Sequence, residues 1–152
     1  MEAWRAAVVE EAKTWLRTPW VHDQCVKGAG VDCGRLLKAC FVGPGVVAEF
    51  EIEPYPMDWM LHREEEKYLG FVEAHMDRVE TPLPGDIVVW KFGKCFSHGA
   101  IVVDWPVIIH AYRPERAVVW GDGTKGALAR EHRRSGGAFV RECRFYSVAG
   151  RL

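Results

Sequence analysis

The chain has 152 residues, a length that suits one domain with a sizeable core, and we expect residues 1–152 to form a single domain. The sequence is 49% hydrophobic and 27% charged, and its formal net charge of −1 gives no sign of binding to nucleic acid or acidic membranes. No apolar run reaches transmembrane length, and the acidic N-terminal segment lacks the apolar core of a signal peptide. We therefore expect a globular protein that is made in the cytoplasm.

The five cysteines do not fit a disulfide framework, because their number is odd and no C-x-x-C pair occurs. We expect them to be reduced thiols. His22 and Cys25 have a spacing found among metal ligands, but no second pair accompanies them. The sequence therefore predicts no metal site and no cofactor.

Two helices are predicted in the first third of the chain. Apolar residues recur at helical spacing over residues 2–16, and Thr18-Pro19 ends this pattern. A loop with several glycines follows, and Asp32 is suited to cap a second helix that runs from Cys33 to about Phe41. Cys33 then lies at a helix N-terminus, where unpaired N–H groups and a partial positive charge favour a thiolate. A cysteine in this position is a candidate nucleophile.

The rest of the chain changes from helical to strand periodicity. Residues 44–60 are predicted to be irregular, and residues 61–80 to form a third helix. The alternation that follows predicts five strands, at residues 86–92, 98–103, 107–112, 117–120 and 138–146. Helices followed by such strands indicate an α+β fold, in which helices pack on an antiparallel sheet of about five to six strands.

Strand alternation also provides a geometric test for two histidines. His98 and His110 become diagonal neighbours on one face of the sheet, about 7–8 Å apart, if residues 104–106 form a three-residue loop. A two-residue loop would place them on opposite faces. In the first geometry Cys33 attacks a carbonyl, His98 takes its proton, and His110 orients His98. Protonated His98 would hold Cys33 as a thiolate, whereas Asp32 raises the pKa of the thiol, so we expect the Asp32 carboxylate to face backbone N–H groups or a substrate amine.

Five short motifs follow one another along the chain: TPW, KGAGVDC, PGDIVVW, SHGAIVV and IIHAY. Together they resemble the NlpC-type cysteine peptidases of bacterial and phage cell-wall degradation. The order Cys33, His98, His110 and the step of twelve residues between the histidines also match that family. The resemblance is specific because several spaced motifs agree, whereas one alone would be weak. The segment PYPMDWMLHREEEKYLG further resembles short peptidases that are encoded with phage tail genes.

The resemblance implies a fold, a reaction and a place of action. The fold is papain-like α+β, with the nucleophile Cys33 at the N-terminus of one helix and His98 and His110 as its catalytic partners. The reaction is hydrolysis of the amide between D-γ-glutamate and a diamino acid in peptidoglycan stem peptides. The protein would act at the cell wall, carried there by a phage tail or a similar assembly.

The resemblance also implies a set of substrate-binding residues. Trp20 stands at the position of the family's site tyrosine, near the oxyanion, and Asp32 would meet a free amine of the substrate. Two positions depart from the family pattern, since Gly34 replaces a substrate-facing serine and Arg35 replaces a small glycine. The expected substrate-binding residues are Trp20, Asp32, Gly34, Arg35 and Ser97.

Two other functions remain open at this point. The same catalytic residues serve CHAP-type N-acetylmuramoyl-L-alanine amidases and cysteine acyltransferases. The sequence DCGR at residues 32–35 departs from the family's usual DCSG. This departure motivates a third possibility, a structural tail protein that keeps the fold without catalysis.

Overall fold

The computed structural model describes residues 1–52, 67–132 and 138–152. Its helices are α1 (Ala3–Thr14), α2 (Cys33–Val42), α3 (Lys67–His75) and the short α4 (Gly126–Ala129). The first two confirm the predicted N-terminal helices, including the cap, because the Asp32 carboxylate accepts a hydrogen bond from the Arg35 backbone N–H at 2.9 Å. Within the described ranges, no helix has the length and apolar character needed to cross a bilayer.

The strands are β1 (Cys25–Val26), β2 (Gly30–Val31), β3 (Asp77–Val79), β4 (Ile87–Phe92), β5 (Cys95–Asp104), β6 (Val107–Tyr112), β7 (Ala117–Asp122), β8 (Arg130–His132), β9 (Ala138–Val140) and β10 (Cys143–Ser147). Six of them form the main antiparallel sheet, in the spatial order β3-β10-β4-β5-β6-β7. Two short hairpins, β1-β2 and β8-β9, lie outside it. The architecture is therefore the predicted α+β arrangement.

The predicted third helix, residues 61–80, was partly wrong. Residues 61–66 lie outside the described residues, and α3 covers the middle of the segment. Asp77–Val79 forms strand β3 instead, and it pairs with residues 145–147 of β10. Pairing with a neighbouring strand therefore overrides the local helical pattern.

The predicted last strand, residues 138–146, was also wrong, because it is divided into β9 and β10. Arg141 lies at the division and is 7% exposed. Its guanidinium donates hydrogen bonds to the carbonyl oxygens of Ala127 and Lys91, each at 2.8 Å. α4 and β8 precede this segment, and the Arg141 hydrogen bonds connect α4 to the end of β4.

Each face of the sheet packs against its own cluster of apolar side chains. Ile87, Ile101 and Ile109 face the helices and join the main core, which α1, α2 and α3 complete. The residues next to them along the strands face the other way. They form a smaller cluster with Leu128 of α4, and its strand members are Val88, Trp90, Ala100, Val102 and Ile108. His98 and His110 belong to the second face by the same alternation.

The β5–β6 hairpin has a shorter loop than predicted but keeps the predicted register. Asp104 pairs with Val107, so the loop contains only Trp105 and Pro106. A register shift between Val102 and Asp104 makes Val103 an extra, bulged residue. Because the bulge adds one residue, Val102 still pairs with Ile108, and both histidines remain on one face. The expectation that a two-residue loop would separate the histidines was therefore wrong.

A buried ion pair joins α1 to the beginning of β4. The Asp86 carboxylate accepts a hydrogen bond from the Arg5 guanidinium at 2.7 Å and another from the Leu83 backbone N–H at 2.8 Å. The Arg5 guanidinium also donates to the Pro84 carbonyl oxygen at 3.0 Å. Both charged residues are almost fully buried. Asp86, in the GD motif, is thus a structural residue.

Replacing Asp86 by alanine should lower the free energy of unfolding by about 3–5 kcal/mol, because the buried Arg5 charge would keep only the exposed Glu2 as its partner. Urea unfolding at neutral pH measures this. The matched control is Glu10→Ala, which breaks an exposed pair with Lys13 at 2.8 Å and should cost less than about 1 kcal/mol. Equal losses in the two variants would show that the Arg5–Asp86 pair has no special role.

Candidate active site

Cys33 is held at the N-terminus of α2 by a loop with its own hydrogen bonds. The Val31 backbone N–H donates to the Pro19 carbonyl oxygen at 3.0 Å, and the Val31 carbonyl oxygen accepts from the Val21 N–H at 3.1 Å. Val31 itself is fully buried. Gly28 turns the loop at φ +81°, a conformation that glycine adopts without strain. These contacts fix the position from which the Cys33 side chain leaves the helix.

The Cys33 thiol lies against the first half of β5. It donates a hydrogen bond to the Ser97 carbonyl oxygen, with an Sγ–O distance of 3.6 Å. The Tyr68 hydroxyl and the backbone of Gly34 and Gly99 lie near enough to the sulfur to lower the pKa of the thiol, but burial and Asp32 raise it more. A side chain at Gly99 would come within 2.8 Å of Leu37, so glycine allows α2 to approach the strand this closely. Cys33 as a whole remains partly exposed.

The β5–β6 pairing is open where Cys33 meets the sheet. Pairing between these strands starts at Ile101 and Ile109, whereas β5 pairs with β4 back to Cys95. A side-chain hydrogen bond spans the open region instead, because His98 Nε2 lies 2.8 Å from His110 Nδ1. The two predicted histidines are therefore in direct contact.

Aromatic rings enclose this pair of histidines. Trp90 stacks on His98 with ring centroids 5.6 Å apart, and Tyr112 stacks on His110 at 4.5 Å. His110 is only 2% exposed. Since His110 is almost fully buried, its hydrogen bond with His98 is made in a medium of lower dielectric constant than water, which strengthens it.

Burial keeps the candidate catalytic groups uncharged. It raises the pKa of the Cys33 thiol to about 12, and the Asp32 carboxylate adds to this increase. Burial lowers the pKa of His98 well below its usual value, with further lowering from His110 and Arg141. Burial alone lowers the pKa of His110 to about 4. These pKa shifts favour a neutral thiol and neutral imidazoles over the expected thiolate–imidazolium pair.

Asp32 and Arg35 form a closed ionic cluster beside the thiol. One Asp32 oxygen accepts from the Asp23 backbone N–H at 2.9 Å and from the Arg35 guanidinium at 2.8 Å. The other accepts from the Arg35 backbone N–H. The same guanidinium lies 3.0 Å from the Asp23 carboxylate. As expected, the Asp32 carboxylate faces backbone N–H groups, and Arg35 supplies its counter-charge.

The possible metal ligands are arranged differently from the H-x-x-C spacing. In the described ranges, the one group of three or more potential ligands is His22, Asp23 and Asp32. The Arg35 guanidinium is already paired with both of its carboxylates. Cys25 is exposed, and its sulfur contacts the Arg35 carbonyl oxygen at 3.8 Å. A second cation at this cluster would have to compete with Arg35.

The remaining expected site residues surround Cys33 in different ways. Trp20 is partly exposed, and the Arg113 guanidinium lies 5.6 Å from the centre of its ring. Gly34 is buried in the first turn of α2. Ser97 contributes its carbonyl oxygen rather than its hydroxyl to the contact with Cys33. Tyr68, a buried residue of α3, also lies near the sulfur, and nothing in the local sequence pattern signals this proximity.

Comparison with known proteins gives a fold and no closer relationship. No protein-family model matches the sequence, and no curated protein matches it. Among solved structures, the NlpC/p60 domain of the peptidoglycan hydrolase SagA is similar, with 22% identity, a TM-score of 0.55, and coverage of 78% of this chain and 88% of that domain. The fold is that of the NlpC/p60 domains.

Two protozoan structures share the same fold. NlpC2 from Trichomonas vaginalis has 15% identity and a TM-score of 0.62, and NlpC1 from the same organism has 15% identity and a TM-score of 0.57. The alignments cover 97% and 92% of this chain but only 49% and 43% of those two chains. The chain therefore spans about half the length of the Trichomonas proteins, and the papain-like α+β arrangement is what they have in common.

Iodoacetamide should alkylate Cys33 slowly near pH 6 and about tenfold faster with each pH unit up to about pH 9, because only the thiolate reacts and the pKa of the thiol is raised to about 12. Mass spectrometry of the Cys33 peptide follows the rate. The exposed Cys25 is the internal comparison. A rate at Cys33 that is already maximal near pH 6 would contradict the neutral site and restore the thiolate–imidazolium pair.

Proposed function

We propose that this protein is a cysteine peptidase that hydrolyses peptidoglycan stem peptides, and that residues 1–152 act as one catalytic domain. The observation that carries the proposal is the His98–His110 hydrogen bond at 2.8 Å, made on the strand segment that the Cys33 thiol contacts. The NlpC/p60 fold, which includes the domain of a peptidoglycan hydrolase, supports the substrate class.

The proposed reaction begins with attack of the Cys33 sulfur on the carbonyl carbon of the scissile amide. Because His98 Nε2 is committed to His110, His98 Nδ1 is the nitrogen that accepts the thiol proton as the C–S bond forms. The same nitrogen then returns the proton to the leaving amine, and a thioester remains. Water attacks the thioester, gives a proton to His98 and releases the acid, and the thiol regains its proton.

The developing oxyanion needs donors close to Cys33. The Cys33 backbone N–H at the start of α2 is the first, because the leading N–H groups of a helix have no intrahelical partner. The indole N–H of Trp20 is the second that we propose, as the substitute for a tyrosine hydroxyl. The Tyr68 hydroxyl, which lowers the pKa of the thiol, would stabilise the sulfur when it carries negative charge.

The scissile bond that we propose is the amide between D-γ-glutamate and a diamino acid. The proposed substrate contacts come from residues near the nucleophile, which are Asp32, Gly34, Arg35 and Ser97. The association with a phage tail or a similar assembly is also part of the proposal. Its support is the resemblance of the segment PYPMDWMLHREEEKYLG to tail-encoded peptidases, and most of that segment lies outside the described residues.

Cys33→Ala should abolish the release of stem-peptide fragments from purified sacculi, because it removes the nucleophile while leaving a side chain that fits the same space. Cys143→Ala is the matched control, since Cys143 is also a partly buried free cysteine but lies on β10. Mass spectrometry of the soluble products gives the rate and the bond that is cut. Undiminished release by Cys33→Ala would remove this residue from the mechanism.

The soluble products released from sacculi also distinguish the proposed function from the other candidate functions. Fragments that end in D-glutamate support the proposed bond. Cleavage between the lactyl group and L-alanine would indicate an amidase, and transfer to an added amine would indicate an acyltransferase. A protein with no turnover on any wall preparation would be the structural tail protein that the DCGR sequence suggested.

Arg35→Gln should change which substrates are preferred, because it removes the guanidinium that neutralises Asp32. A free amine on the substrate could then pair with the Asp32 carboxylate in place of the guanidinium, and a charged hydrogen bond of this kind is worth about 1.5–3 kcal/mol. We expect the ratio of hydrolysis rates for free-amine and N-acetylated stem peptides to rise about tenfold. Arg35→Lys keeps the charge and is the control; equal ratios in all three proteins would show that Arg35 does not set this preference.

A further inference from the structure

An open cleft of about 470 Å³ lies on the side of His110 that faces away from His98. The lining includes His110, Tyr112, Val119, Gly121 and Leu128. Cys33, His98 and Trp20 are not part of it. Its volume falls within the range of small-molecule sites, about 300–1,000 Å³. The cleft is thus separate from the nucleophile but touches the third residue of the proposed catalytic group.

A nitrogen of His110 opens into this cleft. His110 is 98% buried, and its Nδ1 is bonded to His98, so Nε2 is its second polar atom. A Cβ built on Gly121 would lie 2.9 Å from Nε2, which places the nitrogen over the glycine that lines the cleft. Among the residues that the structure describes, no group hydrogen-bonds to Nε2.

The proposed reaction fixes which hydrogen this nitrogen bears. For His98 Nδ1 to accept the thiol proton, the neutral His98 ring must hold its own proton on Nε2 and donate it to His110 Nδ1. The neutral His110 ring must then hold its proton on Nε2. The active arrangement therefore points an N–H donor into the cleft, and the reverse arrangement points a lone pair there and blocks the base.

The other residues that line the cleft indicate the polarity and charge of a ligand that would accept this hydrogen bond. Val119 and Leu128 give the cleft apolar walls beside the single donor. The Asp122 carboxylate at the rim is already bonded to Thr124, at 2.9 Å to its N–H and 2.5 Å to its hydroxyl. With Glu115 and Lys125 also at the rim, two acids face one base, which disfavours an anionic ligand.

We propose that this cleft binds an uncharged secondary amide with a small alkyl group, whose carbonyl oxygen accepts a hydrogen bond from His110 Nε2–H while the alkyl group packs on Val119 and Leu128. Such an amide occurs in an alanine-containing peptide and in an N-acetylated sugar, both of which are parts of peptidoglycan. The inference rests on the proposed function. Occupancy would stabilise the arrangement in which His98 can act as a base, so the ligand would assist catalysis at a distance from Cys33.

The test is an NMR titration of the protein labelled with ¹⁵N in its histidines. The probes are N-acetyl-L-alanine amide for the peptide source and methyl N-acetylglucosaminide for the sugar source. We expect His110 to hold its proton on Nε2, and the resonance of this N–H to shift saturably with one or both probes. The probe that binds identifies the source.

Leu128→Ser removes part of an apolar wall and should weaken probe binding about fivefold, which corresponds to about 1 kcal/mol of lost burial. Leu83→Ser, at an exposed leucine outside the cleft, is the matched control and should leave binding unchanged.

A His110 Nε2 without a proton, no shift with either probe, or equal binding by both variants would each overturn the inference. Because the readout does not depend on hydrolysis, a protein that cleaves stem peptides without binding the probes contradicts this inference alone. A protein that binds the probes without cleaving contradicts the proposed function alone.

Discussion

The register between β5 and β6 is the constraint on which the candidate site depends. A strand has only two faces, so the insertion of one residue decides whether His98 and His110 meet or are separated by the sheet. The bulge at Val103 compensates for the short loop of Trp105 and Pro106 and keeps both rings on one face. The strands then separate beyond Ile101 and Ile109, and this opening gives the rings room to bond to each other and brings the Cys33 thiol against the same segment.

Burial favours a second histidine, rather than a charged side chain, as the group that orients His98. Two neutral imidazoles can satisfy each other with one donor and one acceptor, and neither has to lose the hydration of an ion. A carboxylate in the place of His110 would bring a buried charge, whose desolvation would need compensation from further donors. Trp90 stacks on His98 and Tyr112 stacks on His110, and these apolar contacts favour uncharged rings.

Local chemistry made some parts of this structure predictable. The Asp32 cap and the start of α2 at Cys33 follow from a capping residue before an apolar helical pattern, and alternation gave the correct face for both histidines. The bulge at Val103 left no signal in the sequence. The face of the two histidines was predicted correctly, although the predicted three-residue loop was wrong. Strand Asp77–Val79 was missed because its partner lies almost seventy residues away, in β10. Non-local contacts of this kind also explain why neither the Tyr68–Cys33 contact nor the burial that keeps the thiol protonated could be anticipated.

The neutral resting state has a consequence for the chemistry that such a site could perform. A thiolate that is formed in advance reacts with many electrophiles, whereas a thiol whose pKa is raised to about 12 becomes nucleophilic only as its proton leaves. In the proposed mechanism, loss of that proton requires an acceptor, His98 Nδ1, whose ring is bonded to His110, and His110 in turn lines a cleft. Attack in this mechanism is therefore coupled to the protonation state of His110 on β6. Such a site would stay unreactive until a substrate supplies an electrophilic carbonyl and the histidine pair is correctly protonated. Selectivity would then arise from the proton arrangement as well as from the shape of the surface around Cys33.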